Sequence, residues 1–126
     1  MQPIVTAIKR RADFVSASKS GFKFVKPSLV VQSRLRKEDE NIQGVERSCV
    51  RIGFTATKTL GNAVIRNRTK RRMRAAAAKL VPQWGMSQCD YVFIGRSQAF
   101  KGPYDDLIRD MKHALKRLAE LMKESD

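Results

Sequence analysis

The stretch "CVRIGFTATKTLGNAVIRNRTKRRMRAAAAKL", Cys49 to Leu80, holds the reading on which the fold turns. Val50, Ile52, Phe54 and Ala56 alternate with Arg51, Gly53 and Thr55, so Cys49 to Thr57 is expected as a strand with one apolar face. Gly61-Asn62 carries turn and cap chemistry, and a helix should follow to about Val81, ahead of Pro82. At about 100° per residue, Thr69, Met73, Ala76, Ala77 and Leu80 share one narrow side of mostly small residues, suited to docking on a sheet. Lys70 and Arg74 flank that side on one edge, Arg68, Arg72 and Lys79 on the other, and Arg71 points away.

Outward from this unit, the elements alternate. "CDYVFIGR" (Cys89 to Arg96) is nearly all apolar and reads as a central strand. "SLVVQSR" (Ser28 to Arg34) is another strand, and the acidic "KEDENIQG" after it reads as a solvated hairpin loop. "TAIKRRADFVSASKS" (Thr6 to Ser20) is expected as a short helix with Ile8, Ala12 and Val15 on one side, stopped by Gly21. A last helix should begin at Gly102-Pro103, with Asp105 and Asp106 at its positive end and Lys116, Arg117 and Lys123 toward its negative end. Leu107, Ile108, Met111, Ala114, Leu115, Leu118 and Met122 make its core stripe. Repeats and linkers are absent, so residues 1–126 read as a single domain of α/β class.

Charge points to the partner. The 126 residues carry a net +14, far beyond what solubility needs, which implies a polyanion: RNA, DNA or an anionic membrane surface. From Arg66 to Arg74 six of nine side chains are Arg or Lys, and no Glu is interleaved to relieve a repulsion of roughly a few tenths of a kcal/mol per pair. A bound polyanion reverses that repulsion. Arginine outnumbers lysine five to one in the run, and its planar fork grips two phosphate oxygens or stacks on a base. The alanines of this helix do not suit a membrane surface, which asks for Leu, Phe or Trp. The N-terminus lacks the apolar core of a signal peptide and no stretch is long enough to span a membrane, so a cytoplasmic protein is expected. Cys49 and Cys89 read as buried small residues rather than a metal pair or a disulfide.

Chemistry by the chain itself is not expected. His113 is the sole histidine and lies far along the chain from the basic run, which excludes a paired-histidine nuclease. The acids lie in a loop or along helix surfaces, with Asp105, Asp106 and Asp110 assigned to dipole placement and solvation, and they do not suggest a converging metal site.

"GNAVIRNRTKRRMR", preceded by "RIGFTATK", resembles the arginine-asparagine-arginine motif of the protein subunit of bacterial ribonuclease P. "RRADF" resembles that family's N-terminal helix, and "CDYVFIGR" stands in the place of its last strand. The resemblance implies a two-layer α-β sandwich: a small central sheet, a parallel crossover through the basic helix, and flanking N- and C-terminal helices. In that family the crossover is left-handed, against a preference of about 98% for the right hand. It also implies that the partner RNA performs phosphodiester hydrolysis with Mg²⁺, required by the RNA-containing holoenzyme rather than bound by the protein. The protein binds that RNA and the 5′ leader of precursor tRNA.

Carried over by position, the resemblance assigns Arg66, Asn67, Arg68, Lys70, Arg71 and Arg74 to the catalytic RNA. Phe14, Val30, Gln32, Thr55, Thr57 and Lys58 are assigned to a cleft for single-stranded leader, with Phe14 as a stacking platform. The alternatives are a helix-start hydrogen bond for Asn67 and a core position for Phe14. Ser18, Gln32 and Thr59 depart from the family pattern, which places aromatics at the first two positions and a second lysine at the third. Two rival classes remain: a ribosomal or general RNA-binding protein, and a DNA-binding regulator. The second is disfavoured because no helix-turn-helix precedes the basic helix. The partners expected are therefore ribonuclease P RNA and precursor tRNA, without DNA or membrane.

Overall fold

The structure, a computed structural model, describes residues 3–37, 40, 42 and 44–124. Its sheet orders the strands β1 (Val5–Ala7), β4 (Val50–Thr55), β5 (Cys89–Gly95), β3 (Leu29–Leu35) and β2 (Phe22–Val25) from edge to edge. The helices are α1 (Arg11–Ser20), α2 (Ala63–Trp84), the single turn α3 (Gln98–Lys101) and α4 (Tyr104–Glu124), with a 3-10 turn at Lys58–Leu60. β5 is central, as its unbroken apolar run requires: it is parallel to β4 on one side and antiparallel to β3 on the other. Parallel neighbours cannot be joined by a tight turn, and the basic helix α2 is the crossover between them.

Alternation along the strands sends two sets of side chains in opposite directions. Val50, Tyr91, Phe93, Leu29 and Val31 face α2 and α4, where they meet Met73, Ala76, Ala77, Leu107, Met111 and Leu115 in the main core. Val92 and Ile94 face the other way, toward Phe14 and Ala17 of α1. Two glycines set how closely the helices approach. A Cβ on Gly95 would lie 2.5 Å from Thr69 Cγ2, so α2 can press onto β5 only because that position is bare. On the opposite face, a Cβ on Gly53 would lie 2.5 Å from the ring of Phe14.

Several expectations from sequence need correction. Thr6 and Ala7 are not helical: with Val5 they pair parallel to Val50–Ile52, and this pairing overrides a helical reading of the stretch. The helix starts at Arg11 and turns Phe14 and Ala17 inward, leaving Ala12 and Val15 exposed. β3 and β4 are not a hairpin, because β5 lies between them. The loop assigned to "KEDENIQG" falls partly outside the described residues, at Glu38, Asp39, Asn41 and Gln43; Glu40 is half-buried rather than solvated. α2 passes through Pro82 to Trp84. The proline forfeits one backbone hydrogen bond in a turn already held by buried Val81 and by Trp84 against the core. Asp110 is buried, accepting from Ser28 N at 3.2 Å and Ser28 Oγ at 2.7 Å, so it ties α4 to the start of β3. Cys49 and Cys89 are buried free thiols, and burial pushes the Cys89 thiol up to about 12.

Candidate nucleic-acid interface

The basic run is built from the start of α2. Gly61, at φ 155°, makes the turn into the helix, and Asn62 Oδ1 accepts from Ile65 N at 3.0 Å to cap it. Thr69, Met73, Ala76, Ala77 and Leu80 are buried as expected, with Val81 added. Asn67, Arg68, Arg71 and Arg74 are exposed, and Arg66 and Lys70 are half-buried. Among the described residues none of the five cations in this set has a carboxylate partner. Asn67 makes no side-chain hydrogen bond there either, the helix-start role being taken by Asn62. The guanidinium of Arg74 lies over Phe54, 5.5 Å from the ring centroid.

Arg72, the remaining cation of the run, is used internally. It donates to the carbonyls of Phe100 at 2.9 Å and Gly102 at 3.2 Å, and lies over Tyr104. The helix thus divides its charge: Arg72 pins α2 to the α3–α4 turn while Arg68, Arg71 and Arg74 are exposed to solvent.

The leader-assigned residues occupy the α1 side of the sheet and its margin. Val30, Ile94 and Thr55 form one cross-strand row and Gln32, Val92 and Gly53 the next, each running from β3 through β5 to β4. Val30, Gln32 and Thr55 are half-buried. Phe14 is half-buried above Gly53 and packs with the Val92 cluster, so its ring is at once core wall and surface. Thr57 and Lys58 are exposed beyond the end of β4, with Thr57 Oγ1 2.8 Å from Thr59 Oγ1. Because β4 leads through the 3-10 turn into α2, the two sets of residues adjoin. Phe14 and Arg74 line one groove of about 620 Å³ at the edge of the sheet formed by β1, with Ile52, Phe54, Ala77 and Ala78.

Sequence reasoning missed a buried ionic network under α1. Arg34, Asp90 and Arg51 form the third cross-strand row, and Arg36 joins them. Asp90 accepts from Arg51 at 2.6 and 2.8 Å, from Arg36 at 2.7 Å and from Arg34 at 3.1 Å. Arg51 also reaches Asp13 of α1 at 3.1 Å, and Arg34 holds Glu40 through both its oxygens at 2.8 and 3.0 Å. Burial pushes the Asp90 carboxyl up, yet hydrogen bonds from Arg51 and Arg36 outweigh it and hold the group below the ordinary range. Arg34 likewise lowers Glu40, against burial. The signal was present as a lone acid in an apolar strand and a lone arginine on the polar side of another.

The molecule is therefore a basic α/β sandwich whose crossover helix presents uncompensated cations beside a partly open sheet face. The family profile described as Ribonuclease P matches residues 5–119, and the chain belongs to the ribonuclease P protein family. Its role is that of an accessory protein subunit of this endoribonuclease. The ribonuclease P protein component of Paramagnetospirillum magneticum is 36% identical over 116 residues, 92% of this chain and 84% of that one. That of Ruegeria pomeroyi is 39% identical over 115 residues, 90% and 86% of the two chains. The Staphylococcus aureus RNase P protein superposes with a TM-score of 0.68 at 29% identity, covering 87% of this chain and 92% of that one. The Thermotoga maritima RNase P protein shares the fold, with a TM-score of 0.69 at 24% identity over 88% and 96%.

Proposed function

We propose that the chain binds ribonuclease P RNA through Arg66, Asn67, Arg68, Lys70, Arg71 and Arg74, and the 5′ leader of precursor tRNA through Phe14, Val30, Gln32, Thr55, Thr57 and Lys58. The observation that carries this reading is the continuity of two surfaces: unpaired cations on α2 and a half-apolar strand face meet around Phe14 and Arg74. Guanidinium groups suit the folded RNA backbone, while a ring lying on bare Gly53 suits an unstacked base. Hydrolysis belongs to the RNA, whose bound Mg²⁺ would supply the activated water; this chain contributes position and affinity. Among the described residues no three His, Cys, Asp or Glu side chains gather to hold a metal. The subunit works in the cytoplasm without a DNA or membrane partner; among the described residues no helix is long and apolar enough to cross a membrane.

The test adds the protein to its cognate RNA in modest Mg²⁺ and measures cleavage of precursor tRNA, together with affinity for precursor and for leaderless tRNA. The protein should strengthen precursor binding selectively. Equal strengthening of both substrates would remove the leader assignment, and no effect on either would remove the function.

A further inference from the structure

We propose that α4 and the end of α2 form a second contact for RNA backbone, a phosphate clamp centred on Lys112 and Lys116. The proposal rests on the RNA-binding reading above and adds a separate surface to it. About 24 Å of helix, at a rise of about 1.5 Å per residue, lies between Arg68 and Trp84, so the two contacts meet different segments of RNA.

α4 turns Leu107, Met111, Ala114, Leu115, Leu118 and Met122 into the core, which leaves Arg109, Lys112, His113, Lys116 and Arg117 outward. Lys112 Nζ lies 4.9 Å and Lys116 Nζ 5.1 Å from the ring centroid of Trp84. The ring attracts each ammonium, but it also draws two like charges together. Nearby carboxylates do not relieve them. Asp106 and Asp110 are engaged by Arg109 at 3.2 and 3.7 Å, Asp110 also by Ser28, and Glu120 by Arg117 at 2.6 Å. Among the described residues neither lysine has an acidic partner. From the β2–β3 turn, Lys26 Nζ adds a further cationic group 3.0 Å from His113 Nδ1. The result is a shallow groove of about 380 Å³ lined by Arg109, Lys112, His113, Lys116, Arg117 and Glu120.

Two successive phosphates of an RNA backbone, one at each ammonium group, neutralise the pair and release their counterions. An acidic protein surface is the poorer match, because interfaces between proteins are anchored by buried apolar side chains. The exposed large apolar residues described here are Ile4, Val15, Val25 and Val64, none of them on α4 or at the end of α2. The same lack argues against a lipid surface.

The experiment compares the parent with Lys112→Gln/Lys116→Gln, both exposed positions, after a thermal melt confirms that the variant folds. Binding of cognate ribonuclease P RNA, and of precursor tRNA to the preassembled holoenzyme, is measured against salt. Loss of two phosphate contacts should flatten the slope of log K against log salt by about 1.4 to 1.8. Flattening in the first arm assigns the clamp to the catalytic RNA, and flattening only in the second assigns it to the substrate. If both slopes stay at the parent value while Arg68→Ala and Arg74→Ala flatten theirs, the clamp is overturned alone. If no variant changes any slope, the α2 interface falls with it.

Discussion

Arg51 holds Asp90 by both oxygens, with Nε 2.8 Å from Oδ1 and Nη2 2.6 Å from Oδ2, in a layer that water does not reach. The same carboxylate serves Arg36 and Arg34, and Arg36 also donates to the carbonyls of Arg47, Cys49 and Cys89. One acid therefore locks β3, β4 and β5 together at the end remote from α2's start. Removing it leaves buried Arg36 and Arg51 without their common counter-charge, a loss of about 3 to 5 kcal/mol. Asp90→Ala should show this in urea unfolding. A variant within about 1 kcal/mol of the parent would mean that water or Asp13 takes over the arginines.

The same network sets the acid limit of stability. Asp90 binds its proton less readily folded than unfolded, so its contribution is complete above the ordinary aspartate range, about pH 4, and is lost as pH falls through the lower folded value. Glu40 acts in the same direction, more weakly because its side chain is 25% exposed to solvent. The urea midpoint should be flat from pH 7 to about 5 and fall below about 4. Asp90→Asn should lower the plateau and flatten the acid limb. An acid limb of undiminished steepness in that variant would assign it to other carboxylates.

Gly53 governs where Phe14 sits. A Cβ there would meet Cε1 and Cζ of the ring at 2.5 Å, so Gly53→Ala must lift the ring from β4. Because Arg68, Arg71 and Arg74 are on α2, the variant should bind the catalytic RNA as the parent does and lose most of its preference for precursor over leaderless tRNA. Base stacking of about 1 to 3 kcal/mol sets the scale of that loss. An unaltered preference in a variant whose α1 has demonstrably shifted would remove Phe14 from the leader path.

Periodic features were legible and compensated ones were not. The alternation at Val50–Ala56 and the stripe Thr69–Leu80 each report a face turned to the core, and both faces are where the pattern puts them. β1 was hidden because Val5–Ala7 is too short to show a period and exists only through pairing with Val50–Ile52. The Asp90 network was hidden for a different reason. Its members, Asp13, Arg34, Arg36, Glu40, Arg51 and Asp90, are scattered along the chain, and each alone reads as a surface charge. For the candidate interface, helical geometry put Arg72 on the same edge as Arg68 and gave no reason to set it apart. The resemblance alone left Arg72 out of the RNA-facing set, and the physical ground is that two backbone carbonyls of a distant turn hold it inward while Arg68 and Arg71 face water.

That separation yields the sharpest test of the α2 surface. Arg68 and Arg72 lie one helical turn apart in the same basic run and carry the same charge, so a merely electrostatic helix would use them alike. Arg68 is exposed; Arg72 donates to Phe100 O and Gly102 O and lies 5.7 Å from the centroid of Tyr104. Arg68→Ala should leave the urea midpoint unchanged and flatten the salt dependence of RNA binding by about one phosphate, roughly 0.7 to 0.9 in slope. Arg72→Ala should do the reverse, costing about 1 to 3 kcal/mol of stability through two unpaired carbonyls and a lost ring contact, with the slope retained. Lys at position 72 would keep the charge but not the two-armed fork, so Arg72→Lys should recover little of the stability. If Arg72→Ala flattens the slope as much as Arg68→Ala does, the guanidinium leaves its carbonyls for RNA on binding, and the division of labour along α2 fails.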